Sequence, residues 1–85
     1  MKIDLRYFAS IREALGPGES FEAESGVLTL GVLRELLIAR GGRHAEVLAH
    51  GRALRAAIDQ QMVVDEATPI ADGAEVAFFP PVTGG

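Results

Sequence analysis

The chain has 85 residues, 48% hydrophobic and 24% charged, with a formal net charge of -4 and no cysteine. That length is room for one domain that buries only roughly 60 to 65% of its unfolded surface, and the balance of residue types argues against disorder and against a membrane span. Lack of cysteine excludes disulfides, thiolate-held metal and a thiol nucleophile, while eight basic residues dispersed among twelve acidic ones leave no footprint for nucleic-acid phosphates.

Lys2 to Phe8 alternates, with Ile3, Leu5 and Tyr7 on one side and Lys2, Asp4 and Arg6 on the other, which predicts a strand half buried against a core. Ser10 followed by Glu13 has capping-box spacing. With Ile11, Ala14 and Leu15 it predicts one or two helical turns, capped by Ser10 and halted at Gly16-Pro17-Gly18. Glu19 to Glu24 alternates weakly around Phe21 and Ala23, predicting a second strand that forms a widened hairpin with the first.

Thr29 is positioned to cap the principal helix. In it Leu30, Leu33, Leu36 and Leu37 recur at three- and four-residue spacing, before Gly41-Gly42 permits the left-handed turn that ends it. A short helical segment over 43–49 follows. Leu54 to Ile58 and Met62 to Val64 read as two short strands about a turn at Asp59-Gln60. Asp72-Gly73 is a turn before a closing strand, Glu75 to Phe79, rich in β-branched and aromatic residues. The expected fold class is therefore α+β: a mixed sheet of four to five strands on one main helix, best matched by the ubiquitin-like β-grasp arrangement. The expected division is a domain over 1–79 and an extended tail over 80–85.

Internal chemistry is hard to find. His44 and His50 lie six residues apart without ligand-spaced acidic partners, whereas zinc needs three or four converging ligands, so both read as surface or helix-end histidines and no metal site is expected. The serines lack a nucleophile setting, the glycine pairs match no phosphate loop, and Asp65-Glu66 reads as a solvated turn. No stretch approaches the roughly 18 apolar residues of a spanning helix, and no basic-then-apolar leader opens the chain, which makes a cytoplasmic protein without membrane contact the expectation.

The tail is different. Pro80 and Pro81 cannot extend a sheet ladder and favour an extended path, Val82 and Thr83 continue it, and Gly84 and Gly85 are thin enough for a channel that excludes any Cβ. These residues predict a narrow arm ending in an exposed carboxylate on Gly85. The bland alternative is a frayed terminus, where disorder ordinarily concentrates.

Phe78-Phe79-Pro80-Pro81-Val82-Thr83-Gly84-Gly85 resembles the C-terminal signature of the molybdopterin synthase small-subunit family. Asp72 to Ala77 resembles the turn and strand before that tail, and Tyr7-Phe8-Ala9 with Arg12-Glu13 resembles the family's first strand and helix. The resemblance implies a sulfur carrier with no permanently bound cofactor. ATP, used by an adenylyltransferase resembling ubiquitin-activating enzymes, would adenylate Gly85; a cysteine desulfurase or other persulfide donor would leave covalent sulfur there as a thiocarboxylate. The tail, Pro80 to Gly84, would then enter the large subunit of molybdopterin synthase. There the sulfur helps build the dithiolene of molybdopterin, two carriers acting per pterin in a heterotetramer whose catalytic residues belong to the large subunit. Phe8 and Phe79, out of phase with the inward residues, are candidates for an apolar partner patch, packing under a loop being the alternative. Competing readings are a carrier for thiamine synthesis or tRNA thiolation, a ubiquitin-like protein modifier, and an interaction module with an inert tail.

Overall fold

A computed structural model describes residues 1–24, 26, 28–51 and 53–81. Strand β1 (Lys2–Tyr7) realises the period-two pattern, its residues alternating exposed and buried without exception. Ile3, Leu5 and Tyr7 are thereby withdrawn from solvent. Strand β2 (Gly18–Glu22) runs antiparallel to it, with Ile3 opposite Phe21 and Leu5 opposite Glu19. A Cβ on Gly18 would lie 2.3 Å from the Leu5 carbonyl oxygen, so glycine is what lets the two backbones approach there.

Helix α1 (Ala9–Leu15) connects them and stops at Gly16, whose φ of 91° is left-handed. Its start departs from expectation. Phe8, not Ser10, is the N-cap, and no side chain caps the helix. Ala9 turns into the left-handed region at φ 53°, so the helix begins one residue before Ser10, and the amides of Ile11 and Arg12 donate to the Phe8 carbonyl instead. Ser10 therefore lies inside the first turn, where its hydroxyl has no cap to make.

Two-residue strands that the sequence reading did not contain, β3 (Leu28–Thr29) and β6 (Pro69–Ile70), pair in a small separate sheet. They deliver the chain to helix α2 (Leu30–Ile38), whose start is well satisfied. Thr29 Oγ1 accepts from the Val32 amide, and the Leu30 and Gly31 amides donate to the carbonyls of Thr68 and Glu66. Leu30, Leu33 and Leu37 pack inward, whereas Leu36, expected on that face, is exposed. At 100° per residue the 30-33-37 stripe leaves Leu36 on its shoulder.

Positive φ at Gly41 and Gly42 turns the chain into helix α3 (Gly42–Leu48). Arg34 fastens the far end of α3, donating from Nε to the Leu48 carbonyl and from Nη2 to that of Ala49, both at 2.7 Å. Those carbonyls lie at the C-terminal end of α3, where a helix leaves its last acceptors without intrahelical donors, which is why a mostly buried guanidinium is tolerated there.

Strands β4 (Arg55–Ile58) and β5 (Gln61–Val63) form a hairpin through Asp59 and Gln60, both at positive φ, as a tight two-residue turn requires. Strand β7 (Glu75–Phe79) then enters the middle of the sheet, whose order is β2-β1-β7-β4-β5. It is parallel to β1 and antiparallel to β4. Tyr7 pairs with Phe78 and Ala56 with Phe78 in the two registers, so Tyr7, Ala56 and Phe78 share the face that meets α2. Burial of each large side chain there stabilises the fold by roughly 1.5 to 3 kcal/mol before chain entropy is counted.

Candidate functional site

The position of β7 decides where the tail leaves. Strand pairing ends at Phe79, and Pro80, without an amide hydrogen, extends no ladder. The chain exits from the centre of the sheet, beside the end of β1 and the start of α1.

Pro80 and Pro81 do not stand clear of the body. Both are half-buried and line a cavity of about 380 Å³ with Ser10 and Ile11 of α1, Val47 of α3, and Ala53. The base of the arm is thus seated in a shallow trough between two short helices, which fixes its direction of departure. Val82, Thr83, Gly84 and Gly85, expected to carry the arm and its carboxylate, lie outside the described residues.

Phe8 and Phe79 come to this same end. The Phe8 amide donates to the Phe78 carbonyl at 3.2 Å, one step beyond the Tyr7–Phe78 pair, which sets Phe8 alongside Phe79. Phe8 is 47% exposed and Phe79 half-buried on the sheet face away from α2, opposite Arg55. Among the described residues no loop covers Phe8.

A polar cluster at the β2 edge holds α3, one wall of the trough, against the sheet. Glu19 is its centre: Oε2 accepts from the Tyr7 hydroxyl at 2.9 Å and faces His44 Nε2 at 2.8 Å, while Oε1 accepts from Arg40 at 2.6 Å. Burial alone would push the Glu19 carboxyl up, but hydrogen bonds from His44, Arg40 and Tyr7 outweigh it and hold its pKa at about 2. Burial, followed by the hydrogen bond to this carboxylate, pushes the Tyr7 hydroxyl up. His44, read as a surface or helix-end histidine, does lie in the first turn of α3, but it is half-buried, edge-on to the Tyr7 ring, and engaged by Glu19. His50 is exposed and pairs with Glu35. Among the described residues no three His, Cys, Asp or Glu side chains converge as metal ligands would, and no helix is long and apolar enough to cross a membrane.

A mixed sheet with its first and last strands paired in parallel at the centre, backed by one main helix and releasing the chain from its central strand, is the ubiquitin-like β-grasp fold. The chain belongs to the ThiS family, whose profile matches residues 5–85.

It is 41% identical over 83 residues to the molybdopterin synthase sulfur carrier subunit of Escherichia coli, covering 98% of this chain and 99% of that protein. It is 34% identical over 92 residues to small archaeal modifier protein 3 of Haloferax volcanii, covering all of both chains. Among solved structures, the complex of subunits 1 and 2 of the molybdopterin-converting factor from Helicobacter pylori matches at a TM-score of 0.69 and 26% identity, over the whole of both chains.

Proposed function

We propose that this chain is the sulfur carrier subunit of a molybdopterin synthase, with the carboxylate of Gly85 as its working group. The observation that carries this reading is the near full-length similarity to the Escherichia coli carrier subunit, joined to a Phe-Phe-Pro-Pro-Val-Thr-Gly-Gly terminus. A carboxylate repels nucleophiles, so activation must come first. An adenylyltransferase joins Gly85 to the AMP of ATP and releases pyrophosphate. A persulfide sulfur then attacks the acyl carbon, AMP leaves, and two-electron reduction by a thiol cleaves the S–S bond to give the thiocarboxylate.

On this reading the catalytic residues for these steps belong to the partners. The contribution of this chain is delivery: a body that docks, an arm narrow enough to enter a partner's channel, and reduced entropy at the point of reaction. Phe8 and Phe79, at the root of the arm, are the apolar surface on which the large subunit or the activating enzyme seats. The test is intact mass after incubation with ATP, a cognate adenylyltransferase and a persulfide donor, beside a chain lacking Gly85. Replacement of one oxygen by sulfur in the full chain alone is expected. Absence of that gain, in a mixture active on another carrier, refutes it.

The similarity to a small archaeal modifier protein supports a second reading, in which the activated glycine forms isopeptide bonds with lysines. Lysine-linked conjugates formed with ATP and the adenylyltransferase in the absence of sulfur donor distinguish it.

A further inference from the structure

The seat of Pro80 and Pro81 has one wall tied by backbone and one gripped by side chains. In α1 the Ile11 and Arg12 amides donate to the Phe8 carbonyl, and the Phe8 amide donates to that of Phe78, so this wall is joined directly to the central strand. The other wall, α3, is a helix of only seven residues. Isolated helices shorter than roughly 12 to 15 residues are marginal in water. Its placement therefore depends on what holds it.

Polar contacts do so at both ends. In the first turn His44 meets Glu19 Oε2 at 2.8 Å, and Arg40, just ahead of the helix, donates to Oε1 at 2.6 Å. At the last turn Arg34 donates to the Leu48 and Ala49 carbonyls. Val47 lies between these anchors, three residues beyond His44 and so its neighbour on the helix surface. It is half-buried and lines the cavity together with Pro80 and Pro81. The hold of Glu19 on His44 consequently reaches the prolines through Val47.

Direction matters at this point because the arm is a lever. Two consecutive prolines have φ fixed near roughly -65° by their rings, so a direction set in the trough is passed to the chain beyond it. Four residues follow Pro81, a reach of roughly 14 Å at most. A swing of about 10° at the root moves the end of such an arm by roughly 2 Å. Misplacement of about 1 Å at a reacting centre can cost a hundredfold in rate.

On the sulfur carrier reading, we propose that Val47 is a positioning residue for Gly85: it aims the arm at the activating enzyme's reaction centre, and Glu19 and Arg34 serve the same end by fixing α3. Phe8 and Phe79 do not line the trough, so docking of the body and aim of the arm are separable.

The test is steady-state pyrophosphate release by the cognate adenylyltransferase, with ATP and a persulfide donor, as carrier concentration is varied. Val47→Ala should lower kcat roughly tenfold while KM stays within about twofold, and Glu19→Gln should do the same. Val47→Ile, which keeps the wall, should retain kcat. Ile70→Val, a truncation of a buried side chain outside the trough, should leave both constants unaltered. Unchanged kcat in Val47→Ala, a change in KM alone, or an equal loss of kcat in Ile70→Val overturns the proposal. NMR order parameters of the Pro80 and Pro81 Cα–H vectors test the seat in the unaltered chain, without variant or enzyme. Values of about 0.85, as in rigid backbone, are expected, and values below about 0.6 overturn it. Rigid prolines in a chain that is never adenylated would remove the carrier reading, and with it the role for Val47, while the seat itself stands.

Discussion

Replacing Glu19 by Gln keeps the shape of the side chain but removes the charge on which Tyr7, Arg40 and His44 converge. The carboxyl falls from an ordinary 4.5 to about 2 on folding, which at 1.36 kcal/mol per pH unit corresponds to roughly 3 kcal/mol. Glu19 is 24% and Arg40 45% exposed, so solvent screening reduces this to about 1 to 2 kcal/mol, or roughly 5 to 12 °C in melting temperature for a domain of this size. Folding lowers this pKa, so the native state binds the proton less readily than the unfolded chain. The stabilisation is therefore present above pH 4.5 and lost as pH falls toward 2. Melting curves of both chains from pH 7 to pH 2 should accordingly converge at the acid end. A Tyr7→Phe control, which keeps every charge, should lose less and preserve the pH window. An unchanged melting temperature at pH 7, or a gap that persists at pH 2, refutes the reasoning.

Ala9 holds a left-handed φ of 53° at the head of α1, so Ala9→Gly should raise stability by up to about 1 kcal/mol, contrary to the usual cost of glycine in a helix, as denaturant titration would show. Gly18→Ala should cost roughly 2 kcal/mol or more by the same measurement, since its Cβ meets the Leu5 carbonyl. Arg34→Met fills similar space but abandons the Leu48 and Ala49 carbonyls; a loss of about 2 to 3 kcal/mol is expected, with faster amide exchange confined to α3 and its surroundings. Deleting Gly85 should leave the melting temperature within about 1 °C of the full chain while abolishing sulfur loading, because terminal residues contribute little packing.

What could be read in advance was what local chemistry decides. The alternation in β1, the Thr29 cap with its leucine stripe, and the Asp59-Gln60 and Asp72-Gly73 turns each carry their signal within a few residues. The two-residue strands β3 and β6 have no period to detect, and are defined only by pairing across some forty positions of sequence. Ser10 misled because capping-box spacing cannot report that the preceding residue has already turned left-handed. The cluster around Glu19 gathers residues 12, 21 and 25 positions away, and no motif in this chain joins them. The reading of the tail rested on residue types alone, whereas the trough that seats its base is made by two helices brought together from distant segments.

The central placement of β7 also determines how the molecule bears load. Four residue pairs join it to β1 and four more to β4. A pull applied through the C terminus acts along the strand and meets those bonds in parallel, so they must slide together instead of opening one at a time as at a sheet edge. The tail is consequently joined to a strand bonded along both of its edges. On the proposed function, a partner that draws on the tail works against shear in the whole sheet.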